Sequence, residues 1–197
     1  MKTLYLVRHA APELGGREHV CLGGRSDPPL SDEGRAQAKR AAGFFCGMES
    51  AAFWASPMLR ARETAELLAG GKSVNILPGM EEIDCGEWDG LSFDEIKLRY
   101  PELYAAWGGN LSLTPPGGES LEALARRGMK ALESLKNEKE DNIVLVAHKG
   151  INRVLLCCLL GREIGEYREL KQDYVCLNRL SLRDGELLVE DIGLEIV

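Results

Sequence analysis

The stretch Thr3-Leu-Tyr-Leu-Val-Arg8-His9-Ala10, close to the amino terminus, decides the fold. Its first five residues are mostly apolar and β-prone, which predicts a short buried strand. The strand ends at a guanidinium and an imidazole that are adjacent in the chain. In an open parallel sheet, ligands bind in the crevice outside the carboxyl ends of the strands. We therefore expect Arg8 and His9 to lie at the functional edge of a sheet.

A second strand ends in the same way. Asn142-Ile-Val-Leu-Val-Ala147 is the most apolar run of the parallel type, and it stops at His148. Strands and helices alternate through most of the chain, which predicts an α/β fold with helices on both faces of a mainly parallel sheet. Near the carboxyl terminus, Asp184-Gly185 separates two β-prone runs at 176–183 and 186–192. This is a type I′ hairpin signal and predicts an antiparallel edge.

The remaining elements follow from capping and turn signals. Ser56-Pro57 predicts a helix start with Ser56 as N-cap, which places Arg60 in the first turn and Arg62 on another face. Ser92-Phe-Asp-Glu95 is a capping box that opens a short helix. Further helices are predicted at about 31–46, 57–68, 120–136 and 151–160, and further short strands at 51–55 and 74–77.

Composition limits the function classes. The chain has 197 residues, 45% of them hydrophobic, which suits one globular domain over 1–197, with 84–118 as a candidate lid. The formal net charge of −7 argues against nucleic-acid binding and requires a local basic island for any anionic substrate. Six cysteines without a CxxC pair, no signal peptide and no apolar run long enough to span a membrane predict a cytoplasmic protein that acts without membrane contact.

The charged groups that we expect to converge point to phosphate. Two of the three histidines, His9 and His148, follow predicted strands, and Arg8 and Arg60 bring guanidinium groups to the same edge. Arginine forks match the oxygens of a phosphate, and the amino end of a helix favours an anion. Together these side chains predict phosphoryl chemistry rather than a structural site. No metal-ligand spacing is present.

At this point the chain resembles a known family, the histidine phosphatase superfamily, also called phosphoglycerate mutase-like. The resemblance implies a three-layer α/β/α sandwich, and within the superfamily the chain looks most like the α-ribazole phosphatases. The motifs occur in the order of the family and span most of the chain. They are Leu4-Tyr-Leu-Val-Arg8-His9, Gly24-Arg-Ser-Asp27-Pro-Pro-Leu-Ser31-Asp-Glu-Gly34, Ser56-Pro57-Met-Leu-Arg60-Ala-Arg-Glu-Thr64-Ala65, Glu82-Ile-Asp-Cys-Gly86-Glu-Trp88-Asp-Gly90 and Val146-Ala-His148.

The resemblance implies a two-step mechanism without a metal or other cofactor. His9 would attack phosphorus and form a phosphohistidine, while Arg8, Arg60 and His148 would bind the phosphate oxygens. Glu82 would protonate the leaving group and then accept a proton from water, which requires a neighbouring phosphate dianion or burial to keep it protonated at first. The implied partner is a small phosphorylated metabolite, with α-ribazole 5′-phosphate as the most specific candidate. The oligomeric state stays open, with a homodimer as one option.

Departures from the family pattern put the substrate preference in doubt. Where the family usually has glycine after the second histidine, this chain has Lys149, which either binds a second anionic group, narrows the pocket or is simply solvated. Ala10 replaces the usual glycine after the nucleophile. The asparagine commonly found in the following loop is absent, and Arg17 or Arg25 is a candidate replacement. With Gly24 in the same loop, Arg17 and Lys149 complete the predicted substrate contacts.

Two other functions stay open from the sequence. A cofactor-dependent phosphoglycerate mutase would use the same residues, but mutases have a longer insertion between the acid and the second histidine. A catalytically silent module that binds a phosphorylated ligand would be consistent with Lys149 and the missing asparagine. Against it, Arg8, His9, Arg60 and the two other predicted catalytic side chains are all present.

Overall fold

A six-stranded sheet forms the centre of the molecule. The computed structural model describes residues 2–17, 19–48, 50–107, 110 and 113–196. The sheet order is β3-β2-β4-β1-β5-β6; β3, β2, β4 and β1 run parallel, and β5 and β6 are antiparallel additions. The strands are Thr3–Arg8 (β1), Ala52–Ala55 (β2), Val74–Ile76 (β3), Asn142–Ala147 (β4), Leu177–Arg183 (β5) and Glu186–Leu194 (β6).

Helices cover both faces of the sheet, as predicted for an α/β fold. Alternate side chains of β4 enter two separate cores: Val144 and Val146 pack with residues of α1 and α2, and Ile143 and Leu145 pack with residues of α5 and α6. This alternation is the period of two expected of a strand that is buried on both sides. The helices are Asp32–Phe45 (α1), Leu59–Ala69 (α2), Phe93–Arg99 (α3), Pro101–Ala106 (α4), Leu121–Ser134 (α5) and Lys149–Leu160 (α6), with 3₁₀ turns at Gly86–Trp88, Leu135–Asn137 and Ile164–Glu169.

The register of the two central strands brings the two predicted histidines together. β1 pairs in parallel with β4, and Arg8 lies opposite Ala147. The next residue of each strand is a histidine, so His9 and His148 leave the same edge of the sheet side by side. The backbone N–H of His9 still donates to the carbonyl of Ala147, at 2.9 Å. The parallel register therefore places His9 and His148 at the same sheet edge, as the sequence predicted.

The predicted start of α2 is wrong by two residues. The helix begins at Leu59 with Met58 as N-cap, not at Pro57 with Ser56 as N-cap. The side chain of Asp27, from the loop before α1, accepts from the Leu59 N–H at 2.7 Å and caps the helix instead. The hydroxyl of Ser56 lies 2.8 Å from His148 Nε2. Ser56 is thus part of the site, and Arg60 stays in the first turn.

The local turn and cap signals were more reliable. Ser92 and Glu95 form the predicted capping box of α3, and both residues of the Asp184-Gly185 turn have positive φ, as a type I′ turn requires. The candidate lid at 84–118 contains the two short helices α3 and α4, but residues 108, 109, 111 and 112 lie outside the described part of the chain. Its role as a lid stays a prediction. In the described ranges, no helix is both long and apolar enough for a membrane span.

Candidate active site

His9 is buried at the end of β1 with one ring nitrogen occupied. Its Nδ1 lies 2.7 Å from the carbonyl oxygen of Ala10. A carbonyl only accepts, so Nδ1 carries the hydrogen and the neutral ring presents the lone pair of Nε2. Burial, followed by the positive charges of Arg8 and Arg60, lowers the pKa of His9 well below the ordinary value of 6.5. The imidazole is therefore in its nucleophilic form at neutral pH.

Arg60 is fully buried and held by the loop that precedes α1. Its two terminal nitrogens donate to the carbonyls of Ser26, at 2.8 Å, and Gly23, at 3.1 Å. Its Nε has no partner in the described part of the protein. Thr64, one turn later on α2, accepts from the N–H of Ala10 at 3.0 Å and so ties this helix to the residue after His9. The sequence thus brings a fixed guanidinium to the imidazole.

His148 completes the buried group. The centroids of the His9 and His148 rings are 5.1 Å apart. The Nε2 of His148 is hydrogen-bonded to the Ser56 hydroxyl. The Nδ1 of His148 has no hydrogen-bond partner among the described residues. Burial, the positive charge of Arg60 and the neighbouring His9 lower the pKa of His148 well below 6.5. Two cations and two imidazoles packed this closely form a region suited to an anion.

Arg8 is oriented by an aromatic ring. Its guanidinium carbon lies 3.8 Å from the centroid of Tyr174, and Nη1 donates to the carbonyl of Gln172 at 2.8 Å. The same tyrosine ring lies 5.8 Å from the His9 ring. The Nε of Arg8 is buried and unpartnered in the described structure. The segment before β5 therefore fixes Arg8 and leaves donor capacity for a ligand.

Glu82 reaches the site through the amino end of α6. Its carboxylate accepts from the N–H groups of Gly150, at 2.8 Å, and Ile151, at 3.0 Å, and from its own neighbour Ile83, also at 3.0 Å. The contact requires glycine at position 150, because a Cβ there would lie 2.5 Å from a Glu82 oxygen. The side chain is 7% exposed. Three backbone donors thus hold a carboxylate beside the buried group.

A cavity of about 620 Å³ opens in front of these residues. Arg8, His9 and Glu82 lie on its wall. Besides aliphatic side chains, its lining includes aromatic and cationic ones, namely Phe93, Tyr104, Trp107, Tyr167, Tyr174, Lys149, Arg153 and Arg168. In the described ranges, no group of three or more His, Cys, Asp or Glu side chains is placed to hold a metal ion.

The structure does not bring every predicted contact residue to the cavity. Lys149 lies on its wall, but four other predicted contacts are absent from the described lining: Arg17, Gly24, Arg60 and His148. Arg60 and His148 are instead fully buried next to His9. Arg17 is exposed and donates to the carbonyl of Gly90 at 2.8 Å. Gly24 instead packs closely against the backbone of Glu82. A Cβ at position 24 would lie only 2.8 Å from the Glu82 carbonyl oxygen. Arg25, the alternative to Arg17, forms an ion pair with Asp84 at 2.7 Å.

Four residues of the site escaped the sequence interpretation. The sequence patterns predict Ser56 as a helix cap and assign no role to Gly150 or Tyr174. Arg153 had a usable signal, because it is four residues after Lys149 on the same helix face and lines the same cavity. The other three act through contacts between distant segments, which local patterns do not reveal.

Comparison with known proteins identifies the family. A model of the histidine phosphatase superfamily (branch 1) matches residues 4–194. The chain belongs to this superfamily. The resemblance stated from the sequence is confirmed at this level, and so is the α/β fold with its mostly parallel sheet.

The relatives found by the comparison have names that refer to different activities. A bifunctional protein of Mycobacterium tuberculosis is 34% identical over 179 residues, which is 89% of this chain and 49% of that protein. The chain thus spans about half the length of the first curated relatives it matches. Phosphoserine phosphatase 1 of Hydrogenobacter thermophilus is 32% identical over 85% of this chain and 80% of its own. The α-ribazole phosphatase of Shigella flexneri, 21% identical, has the same fold with a TM-score of 0.86 over 98% of this chain and 96% of that chain.

Proposed function

We propose that this protein is a phosphomonoesterase that acts through a phosphohistidine on His9 and needs no metal ion. The observation that carries the proposal is the neutral, buried His9 imidazole beside Arg8, Arg60 and His148, each with a buried nitrogen that has no partner among the described residues. Membership of the superfamily and relatives named as phosphatases support it. The chemistry requires a nucleophile, a clamp for three phosphate oxygens and a proton donor, and the site offers each one.

In the first step the lone pair of His9 Nε2 attacks phosphorus as the bond to the ester oxygen breaks. The leaving oxygen takes a proton from Glu82, and the product alcohol departs. Arg8, Arg60 and His148 offset the charge on the remaining oxygens while the phosphoryl group passes to His9. Their side chains are already held by protein contacts, so little reorganisation is needed in the transition state.

In the second step water hydrolyses the phosphohistidine. Glu82, now a carboxylate, accepts a proton from the attacking water, and the N–P bond breaks to return a neutral His9 and inorganic phosphate. The contacts from Gly150 and Ile151 hold the carboxylate in place on the cavity wall that it shares with His9.

The most specific candidate substrate, implied by the family resemblance, is α-ribazole 5′-phosphate. Its flat base would contact the aromatic side chains of the cavity, among them Phe93, Tyr104 and Trp107. The superfamily membership and the relatives support the coarser statement, a phosphatase of small phosphorylated metabolites. α-Ribazole 5′-phosphate therefore enters the test as one candidate substrate among several.

The experiment is phosphate release from a panel of phosphomonoesters in the presence of EDTA, by the wild-type protein and by His9→Ala. The panel contains α-ribazole 5′-phosphate, 3-phosphoglycerate and phenyl phosphate. We expect release by the wild type and a loss of about a thousandfold or more in His9→Ala, with an unchanged circular dichroism spectrum. Near-normal activity of the variant, or activity that EDTA abolishes, would contradict the mechanism.

The same panel separates the two alternatives. A mutase would interconvert 2- and 3-phosphoglycerate once it is supplied with 2,3-bisphosphoglycerate, and would release little phosphate. A silent module would bind the panel members without turnover. Either result would overturn the proposed phosphatase.

A further inference from the structure

The cavity wall carries more positive charge than one phosphate uses. Its described lining includes Arg8, Lys149, Arg153 and Arg168 but a single carboxylate, Glu82. The protein as a whole has a net charge of −7. A basic island of this kind in an acidic protein attracts an anion through local charge and not through a general field. The proposed phosphatase mechanism uses Arg8 and leaves the three other cations without a role.

Two of these cations share one face of α6. Lys149 and Arg153 are separated by four residues, so their side chains lie one above the other along the helix. Like charges at this spacing repel each other. Partial burial, followed by the charges of Arg153 and Arg8, lowers the pKa of Lys149. Burial and the charge of Arg8 likewise lower the pKa of Arg153.

Neither cation has a carboxylate to neutralise it. In the described part of the chain, no ion pair within 4.0 Å involves Lys149 or Arg153. Asp173, an acidic group that acts on Lys149, is paired with Lys171 at 2.7 Å, and Glu82 is held by backbone donors. Elsewhere in the molecule cations do find carboxylates, as Arg127 does with Glu119 at 2.6 Å. Lys149 and Arg153 are thus two neighbouring cations on the wall of one cavity, both without an ion pair in the described residues.

The side chain of Arg153 is held in place by a hydrogen bond. Its Nε donates to the carbonyl of Leu170 at 2.6 Å, which ties the side chain to the segment after the 164–169 turn. The terminal guanidinium nitrogens are left to the cavity. Lys149 lies exposed on the cavity wall and forms no ion pair in the described part of the chain. One fixed fork and one exposed ammonium group are suited to bind a carboxylate or phosphate oxygen set.

We propose that Lys149 and Arg153 form a subsite for a second anionic group, so that the substrate class is small phosphomonoesters that also carry a carboxylate or a second phosphate. This rests on the proposed phosphatase function, since it assigns the reacting phosphate to the buried group around His9. The subsite would raise affinity for such substrates without touching the reacting atoms. It gives Lys149 a role in selecting the substrate and extends that role to Arg153.

The test compares two substrates that differ at one group. 3-Phosphoglycerate has a carboxylate where glycerol 3-phosphate has a hydroxymethyl group. For the wild type we expect kcat/KM for 3-phosphoglycerate to exceed that for glycerol 3-phosphate by about tenfold or more, mostly through KM. In Lys149→Met and in Arg153→Met this ratio falls toward one. Lys39→Met, which removes an exposed lysine of α1 far from the cavity, makes the same change in net charge and keeps the ratio.

The outcomes distinguish the subsite from the function itself. Hydrolysis of phenyl phosphate, which has no second anion, tests the proposed phosphatase alone. If phenyl phosphate is cleaved but the wild-type ratio is near one, or if Lys149→Met and Arg153→Met both keep the ratio, the subsite is wrong and Lys149 is only solvated. If nothing is cleaved, the phosphatase is wrong, and calorimetry of the same ligand pair still decides whether the subsite binds the second anion.

Discussion

Arg60 and His148, which with His9 form the inner end of the site, are fully buried and held by protein contacts, whereas Lys149 and Arg168 on the cavity wall are exposed. In the proposed mechanism the inner groups bind one phosphoryl group between His9 and its neighbours. The outer wall, on which Lys149 and Arg168 lie, combines cations with aromatic rings. Under the proposed function, the difference assigns reaction chemistry to the buried inner groups and substrate choice to the outer wall.

Of the substitutions at the inner end that leave His9 in place, Arg60→Lys should reduce kcat most strongly. The charge stays, but the fork that donates to the Ser26 and Gly23 carbonyls is lost, and with it the fixed clamp on phosphate. We expect kcat on phenyl phosphate to fall by about a hundredfold or more, measured as phosphate release. Arg62→Lys, on an exposed face of the same helix, is the matched control. Equal activity of the two variants would show that Arg60 does not clamp the transition state.

Gly150→Ala tests how Glu82 is held. The added methyl group would lie 2.5 Å from a Glu82 oxygen, so the carboxylate must leave the amino end of α6. We expect kcat to fall by about tenfold to a hundredfold, because the acid and base is displaced. Gly43→Ala in α1, where nothing lies within 4 Å of the new Cβ, makes the same change and should slightly stabilise the protein. Unchanged turnover in Gly150→Ala would contradict the assigned position of Glu82.

Lower pH should reduce the stability of the folded protein through the two buried histidines of the inner end. The folded-state pKa values of His9 and His148 lie well below 6.5, so the unfolded chain takes up protons that the folded protein does not. Their contribution to stability is complete above pH 6.5 and is lost as the pH falls, by roughly 1 kcal/mol per pH unit for each histidine. Urea unfolding between pH 7 and 5 measures this slope. The slope should be smaller in His9→Asn, and an identical slope in the two proteins would contradict the burial of a neutral imidazole.

Tyr174→Leu should produce the smallest effect, at the boundary between the two regions. It removes the ring under the Arg8 guanidinium and leaves the hydrogen bond to Gln172. A contact of this type is worth about 1 kcal/mol, so kcat/KM on phenyl phosphate should fall about fivefold. Steady-state kinetics decides the point. A loss as large as that of Arg60→Lys would mean that Tyr174 itself touches the reacting group.

The inner end was largely predictable from the sequence and the outer end was not. Arg8, His9 and His148 follow two apolar strands, and the edge where parallel strands end is a general property of the fold. Arg60 was placed by its position in the first turn of a helix. These signals are local, and the sheet then brings them together without further information.

The failures have a common physical origin in contacts between distant segments. Ser56 resembled a helix cap because its neighbour is proline, but Asp27 from another loop caps α2 and leaves Ser56 to His148. Arg17, a predicted substrate contact, instead donates to the carbonyl of Gly90 and is absent from the described cavity lining. Gly150 gives no local signal, since its importance lies in the approach of a carboxylate from residue 82. No periodicity or capping rule encodes such contacts.

The measurement that tests the central claim most directly is the capture of the phosphoenzyme. The protein would be mixed with phenyl phosphate in EDTA, quenched with alkali within milliseconds and digested for mass spectrometry. The account predicts an added phosphoryl group on the peptide that contains His9, stable in alkali and lost in acid, and absent from His9→Ala. Full turnover without any labelled His9 peptide, or a phosphoryl group on another residue, would contradict it.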